Sequence, residues 1–164
     1  MNSKNRSLFI LAGQIVTLVL LVLFMWPSFS RVPDSPVPFS TMEQKVRQNL
    51  DAEMYPKQDQ QAIRRYLGLS PDDYADIAFF RTDSAMDADE LVLVRFKNRS
   101  QADGFKEKIQ KRIDAQTEVY EGYAPEQTAL MKRARIELAG NYALYIVGEN
   151  ANQAVSDFKA GLEA

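Results

Sequence analysis

The chain has 164 residues, of which 46% are hydrophobic and 26% charged, enough for one ordinary domain and an anchor but not for two domains. It has no cysteine and no histidine. That excludes disulfides, thiol chemistry, Cys- or His-built zinc sites, an N-terminal lipidated cysteine and any Ser-His-Asp triad. Lys4 and Arg6 precede every acidic residue, and the remainder carries 18 basic against 22 acidic side chains. Such a surface lacks the basic stripe that phosphate backbones attract, so no nucleic-acid partner is expected.

Residues 8–26 read LFILAGQIVTLVLLVLFMW, without a charge. As a helix they rise about 28 Å, the thickness of a hydrocarbon core, with Trp26 suited to the headgroup layer. Lys4 and Arg6 before the run predict a single-pass signal anchor, with residues 1–7 cytoplasmic and everything after the span outside the cell membrane. A cleaved signal peptide ending at Ser30 is the alternative, although its apolar core is usually shorter, about 7–15 residues. Residues 27–39 contain four prolines (PSFSRVPDSPVPF), which predict a stiff, extended stalk.

From residue 40 to 164 the pattern is that of an α+β domain. Ser40 and Glu43 have capping-box spacing, and Met42, Val46, Leu50 and Met54 recur on one helical face up to Tyr55-Pro56. A short second helix buries Ile63, Tyr66 and Leu67 and is closed by Gly68; Ser70-Pro71-Asp72-Asp73 is turn chemistry. Residues 77–82 and 91–97 have strand composition and a wide acidic tip between them. Val92, Val94 and Phe96 share one face, and Leu91 and Leu93 the other, as in an internal strand covered at least partly on both sides.

Ser100 opens a long helix with Asp103 in its first turn. Ala102, Phe105, Ile109 and Ile113 point inward, and Lys106, Glu107, Lys108, Lys111 and Arg112 point to water. Glu121-Gly122-Tyr123 interrupts it, and Pro125 starts a further helix to about Arg133 that buries Leu130. Residues 135–139 alternate with Ile136 and Leu138 inward. Gly140-Asn141 is a two-residue hairpin turn, and 142–147 (YALYIV) is a strand apolar on both faces. A closing helix from Asn150 or Asn152 directs Val155, Phe158 and Leu162 inward. The order is a helical pair, then two hairpin-plus-helix units. It predicts a four-stranded, mainly antiparallel sheet with helices packed on one face.

The segments MDADELVLVRFKNRSQADGFKEKIQKRI and EGYAPEQTALMKRARIELAGNYALYIVGEN carry Ala88-Asp89-Glu90, Gly122 to Gln127 and Gly140-Asn141-Tyr142. On these pieces the region 40–162 resembles domain-of-unknown-function family four-three-five-eight, uncharacterised extracytoplasmic domains of Gram-positive bacteria. The resemblance implies an N-terminal anchor or lipoprotein signal followed by this one domain in the cell envelope; the lipoprotein cysteine is absent here. It implies no activity.

The sequence predicts no cofactor, no metal centre and no catalytic residue. The candidate contact residues are Glu121, Tyr123, Glu126 and Gln127, in the loop YEGYAPEQ, and Asp89 at the acidic hairpin tip. Glu121 and Glu126 suit acid–base work only if burial separates their pKa values; Gly122 as the reversal and Pro125 as a helix start are the simpler account. The tip carries Asp83, Asp87, Asp89 and Glu90 but lacks the glycine and distal glutamate of a calcium loop. Lys132, Arg133 and Arg135 form a small basic cluster, read as a solvated face. The leading expectation is a membrane-anchored, non-enzymatic module that binds a protein or envelope component. The alternatives are a carboxylate-dependent envelope hydrolase and a tethered subunit of a membrane complex.

Overall fold

The computed structural model describes residues 14–22 and 32–163. The chain divides into two compact units, Met1–Val32 and Pro33–Ala164. In the first, residues 14–22 form helix α1, exposed along its length. Nine residues rise about 14 Å, and no helix among the described residues is long and apolar enough to cross a membrane. The remainder of the expected span at 8–26, and residues 27–31 of the expected stalk, lie outside the described residues.

The second unit is α+β. Helix α2 (Phe39–Arg47) comes first, then a short turn α3 (Gln60–Ala62) that continues as a π-helix over Ile63–Leu67, and a 3-10 turn at Pro71–Asp73. They are followed by β1 (Asp76–Arg81), β2 (Glu90–Arg95), α4 (Gln101–Glu121), α5 (Pro125–Lys132), β3 (Arg135–Ala139), β4 (Tyr142–Val147) and α6 (Ala151–Leu162). The four strands form one sheet in the order β1-β2-β4-β3, antiparallel at every junction. The two hairpins therefore meet through β2 and β4, which occupy the centre.

Helices cover both faces of this sheet, not one as the element order suggested. On one face Phe79, Val92, Val94, Ala143, Tyr145 and Val147 pack with α4, α5 and the π-helical turn. On the other Phe80, Leu91, Leu93, Leu144 and Ile146 pack with Met42 and Val46 of α2 and with Ala154, Val155 and Phe158 of α6. The reason lies in the central strands. Each is apolar at every interior position, and a strand with two oily faces needs a cover on each. Helices α2 and α6 supply the second cover together.

Several local expectations shift for physical reasons. Helix α2 starts at Phe39 with Pro38 as its cap residue and no side-chain cap, so Ser40 and Glu43 form no capping box. Glu43 instead pairs with Lys57 at 3.0 Å. The helix ends at Arg47, and Leu50 and Met54 pack against the core from the turns beyond it. Gly68 closes the π-helical turn at φ +62, as a left-handed stop. The Ser100 hydroxyl accepts no amide of the first turn of α4; the Gln101 side chain accepts the amides of Lys97 and Asn98 instead. Leu138 is 37% exposed, because β3 is an edge strand and α4 does not reach across it.

Residues 33–38, part of the expected stalk, belong to the folded unit. Ser35 and Val37 are buried. The Asn141 side chain accepts from the Ser35 amide at 2.9 Å and donates to its carbonyl at 3.2 Å. The Tyr142 hydroxyl donates to Val37 O at 2.8 Å, and the Ser35 hydroxyl to Leu162 O at 3.1 Å. Gly140, at φ +57, makes room for this strap: a Cβ there would collide with the carbonyl oxygen of Pro33. Gly140→Ala is expected to cost about 1–2 kcal/mol from the left-handed backbone alone. It should also open the chain near residue 33 to protease at a rate well above that of the parent, as read by limited proteolysis.

Candidate functional site

The site is at the end of the sheet where β2 begins and β4 ends. There the acidic β1–β2 loop meets the turn between α4 and α5. Tyr120, buried at the end of α4, donates its hydroxyl to Asp87 O at 2.9 Å. Gln127, in the first turn of α5, accepts the Ala88 amide through its side-chain oxygen at 2.9 Å. The loop is closed on itself by the Thr82 amide donating to Asp89 O at 3.1 Å. Two segments that are distant in the sequence thus form one braced surface.

On that surface Tyr123 is 52% exposed, its ring 5.9 Å from that of Tyr120. Val119, one turn earlier, is 52% exposed, and Met86 at the loop tip is 60% exposed. Glu126 is exposed and takes part in no ion pair among the described residues. Glu121 points elsewhere: it pairs with Lys132 at 2.8 Å and lines a groove of about 680 Å³ between α4 and β3, with Ile113, Thr117, Met131 and Ile136. The structure therefore brings Asp89, Gln127 and Tyr123 to one end of the fold, while the Glu121 side chain turns toward Lys132 and the groove. Glu121 and Glu126 share no described cavity.

Asp89 is half-buried. Its Oδ1 lies 3.1 Å from the Tyr55 hydroxyl, which also donates to Val147 O at 2.8 Å. Gly148, at φ +144, leaves the space for this pair; a Cβ would run into the Tyr55 hydroxyl and stand 2.7 Å from Asp89 Oδ1. Burial raises the Asp89 carboxyl above its ordinary value, and the charges of Asp87 and Glu149 push the same way against the Tyr55 hydrogen bond. Burial, then Asp89, pushes the Tyr55 phenol up. A carboxyl raised in the fold contributes stability that is present below its unfolded value and is lost as pH rises through the folded one. Asp89→Asn keeps an acceptor for Tyr55 and cannot ionise. It is expected to melt above the parent at pH 7, with the gap closing by about pH 4; melting temperature followed by circular dichroism across that range checks it.

Beneath the loop is a charged cluster the sequence reading placed in water. Arg112 is a correction: its side chain is 9% exposed and that of Glu90 is 6% exposed. The guanidinium grips Glu90 with both arms, Nε donating to Oε2 at 2.8 Å and Nη2 to Oε1, while Nη1 donates to Tyr66 O at 2.6 Å. Arg81 Nε stands 3.6 Å from the same carboxylate, and the Tyr145 hydroxyl donates to it at 3.4 Å. Burial alone would lower Arg112; the hydrogen bond and charge of Glu90 outweigh it and hold the guanidinium above its ordinary value. Burial, then the Glu90 charge, drives the Tyr145 phenol well up. Arg81 and Arg112 also flank the Tyr66 ring, at 4.5 and 5.9 Å from its centre. This cluster ties β2, α4 and the π-helical turn together under the loop.

Glu90 turns inward to Arg112, and no group of three or more possible metal ligands occurs among the described residues. The basic cluster borders a second cleft of about 290 Å³ beside Glu149. Two of its members are already engaged, Lys132 with Glu121 and Arg135 with Glu137 at 2.8 Å.

The fold and site define a small α/β/α-layered domain with a braced loop surface at one sheet end. The chain belongs to the family described as Domain of unknown function (DUF4358), whose profile matches residues 48–148. That segment contains the sheet, α4, α5 and every candidate contact residue, while α2 and α6 lie outside it. No curated protein and no solved structure matches the chain.

Proposed function

We propose that this chain is a non-enzymatic binding module, held by an N-terminal membrane anchor at residues 8–26 with its folded unit outside the cell. It engages a protein or envelope component through the loop surface around Tyr123, Gln127 and Asp89. One observation carries the reading: Met86 stands exposed on a loop held by part-buried hydrogen bonds, from the Tyr120 hydroxyl to Asp87 O and from the Ala88 amide to Gln127, against the turn that carries the exposed Tyr123. Exposed apolar groups on a fixed framework are the usual makings of a recognition surface. Catalysis by Glu121 and Glu126 has less to support it, since the first is paired with Lys132 and faces a different groove. The anchor reading rests on the uncharged run and the two cations before it.

A photo-crosslinking amino acid placed at Tyr123 in the full chain, in cells, tests the contact surface. A discrete crosslinked species at position 123 that is missing from exposed Glu107 supports it. No species above background, or the same species at both positions, overturns it. Protease added to intact cells tests the placement. The folded unit should be shaved from the surface, and a fully protected one ends that part of the reading.

A further inference from the structure

We infer that two copies of this chain associate through β3, edge to edge and antiparallel, about a two-fold axis at Ile136. The pairing requires neither the loop surface nor its partner. The two edges of the sheet differ. Along β1 the Gln58 amide donates to Phe79 O at 2.8 Å, the Arg81 amide to Pro56 O at 3.2 Å and the Gln58 side chain to Arg81 O at 3.2 Å. Residues 56–58 thus cover that edge. Along β3 the pattern is open. Asn141 O accepts the Phe96 amide at 2.8 Å, so the odd-numbered residues of β4 face β2 and the even-numbered ones face β3. Arg135, Glu137 and Ala139 therefore bond to Ile146, Leu144 and Tyr142, and Ile136 and Leu138 turn their N–H and C=O groups outward. Among the described residues no hydrogen bond from elsewhere in the chain reaches those groups. No proline or bulge interrupts the strand. An open, regular edge of this kind is a template for another strand.

Charge selects the occupant and its register. An axis at Arg135 or Glu137 sets that residue against its own copy, and like charges directly opposite are destabilising. An axis at Leu138 sets Ile136 against Gly140 and leaves Arg135 beyond the facing strand. An axis at Ile136 places Arg135 opposite Glu137 of the second copy, twice by symmetry, at the closely spaced positions of an antiparallel pair. Ile136 then exchanges both main-chain bonds with its mate, and the Leu138 N–H meets Ala134 O. Within one chain Arg135 and Glu137 already pair at 2.8 Å, and Lys159 reaches Glu137 at 3.1 Å. The second copy joins two such pairs into one cluster of alternating sign. On the opposite face Ile136 lines the groove beside α4, and Leu138 is 37% exposed. Both gain an apolar neighbour from the second copy.

The chain has no cysteine, so single cysteines introduced into the purified full chain in detergent report the register. Ile136→Cys treated with copper phenanthroline is expected to form a disulfide-linked dimer, since Cα atoms about 5.5 Å apart lie within disulfide reach. Leu138→Cys, at the more exposed position, stands about 14 Å from its own copy in this register and should crosslink at least about tenfold more slowly. Adding Arg135→Glu to Ile136→Cys should slow the crosslinking about tenfold by opposing like charges, and the exchange R135E/E137R should restore it. Adding Leu138→Pro, which removes only an outward N–H, should slow it as well. Circular dichroism selects the variants that keep the native fold. Absence of a dimer at position 136, equal rates at 136 and 138, or faster crosslinking of Glu137→Cys overturns the inference. So does a natively folded exchange variant that fails to recover. Capture of Ile136→Cys in cells only by a different protein also overturns it, by giving the edge to another strand.

Discussion

Arg112→Met is expected to destabilise the folded unit by about 3 kcal/mol, read as a lower urea midpoint with an unchanged slope. The substitution keeps the volume of the stem and removes the guanidinium, leaving Glu90 with a side chain 6% exposed and its best partner gone. Breaking a buried pair from one side costs about 3–5 kcal/mol, because the surviving charge is desolvated without compensation. The lower figure applies because Arg81 remains 3.6 Å from the same carboxylate. The loss reaches beyond that one pair, since Arg112 Nη1 also holds the Tyr66 carbonyl of the π-helical turn. The double variant Glu90→Gln/Arg112→Met should recover part of the loss, since the orphaned charge is then removed. If the double variant is as unstable as the sum of the two single ones, the pair is not coupled and the argument fails.

The same residues show where the sequence was legible and where it was not. Strand periodicity put Val92 and Val94 on one face and Leu91 and Leu93 on the other, and the structure has them so. Extended one step toward the N-terminus, that alternation puts Glu90 on the Val92 face. The signal for a buried glutamate was therefore present in the pattern. What hid it was the opposite habit on α4, where Arg112 sits between two inward residues, Ile109 and Ile113, and reads as part of a charged face. A charge at the border of an apolar stripe is buried or wet according to what waits for it across the interface. Only the tertiary structure supplies that.

The candidate surface followed a similar course. The two segments that form it were each conspicuous in the sequence, as an acidic tip and as a Gly-Pro-punctuated turn. Their junction depends on a tyrosine hydroxyl and a glutamine side chain reaching main-chain groups 33 and 39 residues away. Such bonds leave no periodic trace. The strap at residues 33–38 was obscured for another reason. Proline marks extended backbone whether the chain crosses water or lies on a surface, and Ser35 and Val37 are held by partners more than 100 residues distant.

Phe158→Ala should cost about 4 kcal/mol, within the range of about 3–5 for a fully buried aromatic side chain. The ring is fully buried on the face that α2 and α6 cover. How much is lost depends on how far the surroundings can close around the vacated space, and here they have little room to move. The two helices already touch at Gly161, where a Cβ would stand 2.8 Å from Met42 Sδ, so α6 cannot settle closer to α2. On the sheet side Phe80, Leu91 and Leu144 are fixed by strands that are hydrogen-bonded to their neighbours. Leu138→Ala, on the edge strand where the side chain is 37% exposed, should cost less than about 1 kcal/mol. Chemical denaturation of the two variants compares the covers directly. A single-faced domain would tolerate the loss of Phe158 about as well as the loss of Leu138. A domain whose outer helices close a second core loses a large part of a total stability that is only about 5–15 kcal/mol.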